Sequence, residues 1–260
     1  MNRIKKWVSL LAAGLLAHGA VLAIAPVQSV AYASLSGTLQ DFESLAVSDP
    51  VGSLLEGLVT LGDVQFGERF DGQELGVTKA PRPGEVAQDW FDDLSYGAPV
   101  AGLSLLAGAA GGNLGAYDYG DANGKALTGI GPQNSDGGDV FGLGSISARF
   151  DAAQSALGFQ VRDADGGTGL LSLYRVDGSL IQTLALGPLQ NSFYAFARSD
   201  GTADIAGFSL YQSDSYFGIA IDKLKYGGIS AVPEPGSSLL LGAGLIALLG
   251  ARRRGASCRV

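Results

Sequence analysis

The chain has 260 residues, 40 of them glycine, and a formal net charge of −8 at pH 7. Its single histidine, His18, and its single cysteine, Cys258, lie near the two ends, so residues 34–228 offer neither imidazole nor thiol. This excludes His-based triads, thiol nucleophiles, disulfides and conventional zinc sites from that body. Residues 34–232 hold 10 basic and 24 acidic residues, a formal charge of −14 that disfavours nucleic acid as a partner.

Residues 1–33 have the layout of a secretory signal peptide. Three basic residues among the first six precede an apolar run from Trp7 to about Ala25. Ala31 and Ala33 then form the small-x-small pattern of a cleavage site. We expect this segment to pass the Sec translocon and to be removed by signal peptidase after Ala33. The alternative is an uncleaved membrane anchor, since the apolar run is long for a signal peptide.

Residues 34–228 contain short segments of alternating apolar and polar residues, rich in β-formers and joined by glycine-rich connections. They begin with SGTLQDFESL and end with YFGIAIDKLKY. Asp177-Gly178, between LLSLYRV and SLIQTLAL, is typical of a two-residue β-hairpin turn. The pattern predicts one all-β domain, an antiparallel β-sandwich of jelly-roll type, with no helix in the body.

Two long segments, Thr78–Pro99 and Gly108–Asp139, interrupt the strand pattern and are predicted to be loops, where binding sites are common. Aromatic side chains occur in them among carboxylates and amides, a mixture that suits stacking on sugar rings. The five residues are Trp90, Phe91, Tyr96, Tyr117 and Tyr119. We expect them to form a carbohydrate-binding surface. The alternative is that Trp90 and Phe91 close the edge of the hydrophobic core.

The C-terminal segment, residues 229–260, combines a proline-bracketed glutamate, an apolar run and an arginine cluster. Val232-Pro233-Glu234-Pro235 precedes the uncharged residues 236–251. As a helix this run would extend about 24 Å at 1.5 Å per residue, against a bilayer core of about 30 Å. It therefore predicts a short single transmembrane helix whose flanking arginines reach the headgroups. The positive-inside tendency places residues 252–260 in the cytoplasm and the body outside.

The C-terminal segment resembles the PEP-CTERM protein-sorting domain in the order and spacing of three parts. These are the motif Val232, Pro233, Glu234 and Pro235, the apolar run, and the cluster Arg252, Arg253 and Arg254. The resemblance implies cleavage near Pro233-Glu234-Pro235 by an exosortase, a membrane-embedded cysteine protease-like transpeptidase. It also implies an inner-membrane precursor in an exopolysaccharide-producing Gram-negative bacterium, and a mature protein on the cell surface or in the extracellular matrix. The two prolines exclude helix and strand, which keeps the motif extended for a protease.

Asp41-Phe42-Glu43 is predicted to open the first strand, and Ile221-Asp222 lies in the last. This pairing resembles extracellular jelly-roll modules of carbohydrate-binding type, many of which hold calcium between an "FE"-like glutamate and an "ID"-like aspartate. The resemblance implies Glu43 and Asp222 as calcium ligands, together with backbone carbonyls. Alternatively, both are solvated edge charges, or one of them pairs with Lys223 or Lys225.

The predicted destination favours a non-enzymatic role. We expect an exported structural or adhesive protein of the surface or biofilm matrix that interacts with exopolysaccharide. One alternative is a calcium-stabilised carbohydrate-binding module. A second is a carboxylate-dependent glycan hydrolase, for which Asp92 and Asp93 beside Trp90 are the first candidate carboxylates. No cofactor other than calcium is implied.

Overall fold

The computed structural model describes residues 26–47, 52–76, 93–120, 124–131, 141–162, 167–212 and 218–230. Within these ranges the regular structure consists of β-strands and one 3-10 helix, Tyr32–Ser34. In chain order the strands are β1 (Val27–Ser29), β2 (Leu35–Gln40), β3 (Ser53–Leu55), β4 (Val59–Leu61), β5 (Val64–Gly67), β6 (Arg69–Phe70), β7 (Glu74–Gly76), β8 (Asp93–Tyr96), β9 (Leu105–Leu106), β10 (Leu114–Asp118), β11 (Lys125–Ile130), β12 (Phe141–Gly144), β13 (Ile146–Gln154), β14 (Ala156–Arg162), β15 (Gly169–Tyr174), β16 (Leu180–Leu186), β17 (Phe193–Arg198), β18 (Ile205–Gln212) and β19 (Ala220–Ile229).

Two antiparallel sheets carry the fold. The nine-stranded sheet has the order β1-β17-β14-β19-β11-β10-β3, and in addition β2 pairs with β19 and β12 with β11. The six-stranded sheet has the order β16-β15-β18-β13-β5-β4, and two further two-stranded sheets, β6–β9 and β7–β8, complete the described structure. Neighbours in each sheet are often distant in sequence, as in sandwiches with Greek-key connections. The predicted all-β fold with antiparallel sheets is confirmed.

The main hydrophobic core draws side chains from both large sheets. Phe159 of β14 stacks on Phe208 of β18 with ring centroids 6.3 Å apart, and Phe150 of β13 lies 6.1 Å from the same ring. All seven residues of β14 are buried, as expected for a central strand, whereas the edge strand β16 alternates buried and exposed positions. A body without disulfides depends on this packing for its stability.

The hairpin predicted around Asp177-Gly178 is confirmed, but its turn is longer than two residues, because the Gly178 N–H donates to the Arg175 carbonyl and the Arg175 N–H donates to the Ser179 carbonyl. β15 and β16 pair antiparallel from Gly169↔Leu186 to Tyr174↔Leu180. The backbone N–H of Ser179 donates to Asp177 Oδ1 at 2.9 Å, which closes the turn locally.

The prediction that residues 108–139 form one long loop is wrong. Within it, β10 and β11 pair with each other from Leu114↔Gly129 to Asp118↔Lys125, and β11 also pairs with β19. Glycines and alanines obscure the alternation because they read as loop residues. At Gly115, however, an added Cβ would lie 2.5 Å from the Phe141 ring, so close packing requires glycine there. Residues 78–99 likewise include β8, which pairs with β7.

Asp41-Phe42-Glu43 follows the first long strand instead of opening it. β2 ends at Gln40, and Phe42 has a φ of 62°, a left-handed conformation that cannot continue a strand. The Phe42 ring, fully buried, packs against Phe66 at 5.6 Å, so the turn inserts an aromatic anchor into the core. Glu43 is thereby placed beyond the end of β2.

The ordered sheet begins upstream of residue 34. β1 pairs with β17 from Val27↔Arg198 to Ser29↔Phe196, and Val27 is buried. The Tyr32 hydroxyl donates to the Lys223 carbonyl at 2.6 Å. Cleavage after Ala33 stays a prediction, and it would remove β1 and Tyr32 from the fold shown here.

The predicted transmembrane helix over 236–251 and the apolar run of the signal peptide lie outside the described residues. Within the described residues, the structure contains no helix with the length and apolar character needed to span a bilayer.

Candidate ligand-binding face

A group of polar side chains is buried on the outer face of the nine-stranded sheet. Along β14, Phe159 and Val161 belong to the core, so the alternating residues Gln160 and Arg162 project from the opposite face. Asp222 of β19 lies opposite Gln160 in the register and is fully buried. Buried polar residues of this kind must be paired or hydrogen-bonded, and they are uncommon enough to indicate a site.

Asp222 is the centre of this group. Its Oδ1 accepts a hydrogen bond from the backbone N–H of Lys223. Its Oδ2 accepts no hydrogen bond and lies 3.9 Å from Arg162 Nη1 and 3.7 Å from Lys223 Nζ. Burial raises the pKa of Asp222 to about 6, although the nearby cations oppose this shift, and the negative charge of Glu43 raises the pKa further.

Glu43 lies close enough to influence Asp222 electrostatically. Its Oε1 accepts a hydrogen bond from the backbone N–H of Lys125 at 3.0 Å. The carboxyl group is seated against Gly124, where an added Cβ would come within 1.8 Å of Oε1. The backbone turns sharply at both carboxylates, since Phe42 before Glu43 and Lys223 after Asp222 have φ values of 62° and 50°.

These residues fit a calcium ion in part. Glu43 is near enough to raise the pKa of Asp222, and Asp222 Oδ2 accepts no hydrogen bond, as a cation site requires. However, the Lys125 ammonium donates to the carbonyls of Glu43 and Leu45, at 3.1 and 2.7 Å. It therefore holds backbone oxygens that a calcium ion would use. Across the described ranges, no three residues of the types Asp, Glu, His and Cys are arranged to hold a metal.

The predicted aromatic residues Tyr117 and Tyr119 form a small cleft on the same sheet. Their rings lie edge to face with centroids 4.8 Å apart, and the Arg162 guanidinium lies 4.1 Å from the Tyr119 ring centroid. The cleft has a volume of about 80 Å³ and is lined by Tyr117, Tyr119, Thr128, Phe141, Gly142, Gly218, Ile219 and Ala220. Arg162 thus connects this aromatic cleft with the Asp222 group.

The backbone of Tyr96 belongs to a different sheet from that of Tyr117. Tyr96 lies at the end of β8, in the two-stranded sheet with β7, and is paired in register with Glu74. Trp90, Phe91 and Asp92 lie outside the described residues. Asp93 begins β8 opposite Gly76. The five aromatic residues were predicted as one surface, but Tyr117 is on β10 of the nine-stranded sheet, with Tyr119 just beyond that strand, whereas Tyr96 is on β8 of a two-stranded sheet.

A second cleft was missed by the sequence reasoning. It has a volume of about 390 Å³ and is lined by Glu68, Arg69, Gln73, Glu74, Leu75 and Ala109. The Glu68 side chain is only 5% exposed and pairs with Arg69, and burial raises its pKa against the opposing effect of that arginine. Glu68-Arg69 reads in the sequence as an ordinary pair of solvated charges, so no local signal reveals its burial.

The comparison with known protein families places a sorting signal next to this β-sandwich. Residues 231–254 match the PEP-CTERM protein-sorting motif, which begins directly after Ser230. The predicted resemblance is therefore confirmed. The motif implies export and exosortase-mediated localisation at the surface of Gram-negative bacteria. No curated protein matches the chain.

Proposed function

We propose that this chain is an exported surface or biofilm-matrix protein with a structural or adhesive role, and that its β-sandwich interacts with exopolysaccharide. The observation that carries the proposal is the sorting motif at residues 231–254, joined directly to an all-β body. Export through the Sec translocon, removal of the signal peptide by signal peptidase and C-terminal processing by exosortase are parts of the same proposal. The strongly acidic body suits an extracellular role better than a role on nucleic acid.

The Tyr117–Tyr119 cleft supports contact with sugars. Tyr117 and Tyr119 offer apolar ring surface to a pyranose ring, while the largely buried Arg162 guanidinium lies over one face of Tyr119 and holds that ring in place. A cleft of about 80 Å³ accommodates part of one sugar unit, which suits weak, repeated contacts along a polymer better than tight capture of a single sugar.

Binding of the processed protein to the exopolysaccharide of its own host tests this function. Tyr119→Ala removes the ring and is expected to weaken retention by roughly fivefold, from a loss of about 1 kcal/mol per stacked ring. Tyr119→Phe keeps the ring and is the matched control, which should retain binding. Equal retention of both variants would rule out this cleft as the contact. Shortening of the polymer would instead support the hydrolase alternative.

A calcium-stabilised carbohydrate-binding module is the second candidate function. It is favoured by the electrostatic effect of Glu43 on the buried Asp222, whose Oδ2 accepts no hydrogen bond. Calcium in excess should then raise the melting temperature of the protein relative to a chelator, and Glu43→Gln should remove the difference. Glu74→Gln, at an exposed carboxylate on another sheet, is the control. A melting temperature that calcium does not change would eliminate this candidate.

A further inference from the structure

The last strand of the sandwich ends almost at the sorting motif. The backbone N–H of Ser230 donates to the Ser34 carbonyl at 2.9 Å, which extends the pairing of β19 with β2 by one residue. The family match begins at residue 231, and Pro233-Glu234-Pro235 follows two residues later. Between the last hydrogen bond of the sheet and this tripeptide there are therefore only Ala231 and Val232.

This short connection limits how far the folded body can be from the processing enzyme. Three residues in fully extended conformation span at most about 11 Å, so Pro233 cannot be farther than this from Ser230. The apolar run begins at Gly236, which keeps Ser230 within about 22 Å of it even at full extension. A membrane-embedded enzyme that binds the motif must consequently meet the folded body at the same time.

The strand partners at the end of the body nearest the motif are small or uncharged, while Arg198, whose backbone N–H donates to the Ser155 carbonyl, and its ion-pair partners Asp200 and Asp204 lie beside them. At the end of β19, Gly227 pairs with Gly37, Gly228 with Ser36 and Ile229 with Leu35 of β2. On the other side of β19, Ala156 pairs with Gly227, and the Ser155 N–H donates to the Gly227 carbonyl. Small residues without long side chains allow the backbone of another protein to approach this end of β19 and β2 closely.

We propose that this end of the sandwich docks against the membrane-embedded transpeptidase while the motif is cleaved. The docking surface is formed by Ser34–Gly37, at the start of β2, and by Gly227–Ser230, at the end of β19. This interaction surface rests on the proposed exosortase processing. The enzyme then recognises a folded end of the sandwich as well as the extended motif. After cleavage, the same surface lies next to the new C-terminus and therefore next to whatever molecule the body is attached to.

Photo-crosslinking in the full-length precursor tests the proposal. A benzoylphenylalanine at position 36, in a processing-competent host, should form a covalent adduct that mass spectrometry identifies as the transpeptidase. Position 190 is the matched control, because Gln190 is exposed near the start of β17 and the end of β16, at the opposite end of the sheets. We expect at least about tenfold more adduct at position 36 than at position 190.

Insertion of twelve Gly/Ser residues between Ser230 and Ala231 tests the limit that the short connection imposes. Such a linker adds about 17–21 Å of average reach, so the adduct at position 36 should fall toward the level at position 190. Processing that continues without preferential crosslinking at position 36, or an adduct that the linker does not reduce, would overturn the docking proposal while leaving the proposed function intact. Failure of the unmodified precursor to be processed at all would contradict the proposed function itself.

Discussion

Replacement of Asp222 by asparagine should remove a specific pH dependence of stability. Burial raises the pKa of Asp222 from 3.8 to about 6 in the folded protein. A carboxyl group with a raised pKa keeps its proton in the folded state while the unfolded chain loses it. The free energy of unfolding contributed by this group is therefore highest below pH 4 and is lost as the pH rises to about 6.

The size of this effect follows from the shift. About two pKa units at 1.36 kcal/mol each give a loss of about 3 kcal/mol between pH 4 and pH 6. Urea unfolding of the wild type and of Asp222→Asn at a series of pH values gives the slope of the unfolding free energy against pH for each protein. The difference between the two slopes isolates Asp222, because contributions from the other acids cancel. Glu74→Gln, at an exposed acid, serves as the control. Parallel curves for the wild type and Asp222→Asn would refute the reasoning that Asp222 is desolvated and poorly compensated.

Two other predictions concern the fold and the sorting signal. In urea unfolding, Gly37→Ala should destabilise the protein by about 1–3 kcal/mol more than Gly57→Ala. Both glycines have positive φ. However, a Cβ at Gly37 would lie 2.2 Å from the Tyr226 carbonyl oxygen, whereas a Cβ at Gly57 would meet nothing within 4 Å. Equal losses would show that the β2–β19 contact is looser than described. Glu234→Ala should leave an unprocessed precursor in the membrane fraction on immunoblots, while Glu56→Ala in the body should be processed normally; normal maturation of Glu234→Ala would contradict the sorting assignment.

The sequence predicted the all-β architecture because strand periodicity and turn chemistry are local signals. The Asp177-Gly178 hairpin and the position of Asp222 in the last strand needed only alternation and one turn dipeptide. β10 and β11 were missed because their small residues are selected by close packing against partners far along the chain, such as Phe141 against Gly115. No local pattern records such contacts.

The candidate site was predictable in part for the same reason. Tyr117 and Tyr119 were recognised by residue type, and the structure brings their rings into contact. The contribution of Arg162 was not foreseen, because its position over Tyr119 depends on the pairing of β14 with β19. The burial of Glu68 likewise follows from how the small strands cover the six-stranded sheet, which sequence alternation does not encode.

The central claim is that the C-terminal segment is a removable sorting signal on an exported β-sandwich. Intact-mass measurement with C-terminal peptide mapping of the protein recovered from the cell surface tests it most directly. We expect the mature chain to end at or near Pro233-Glu234-Pro235 and to lack residues 236–260, including Arg252, Arg253 and Arg254. Recovery of the surface protein with its C-terminus intact through Val260 would contradict the account.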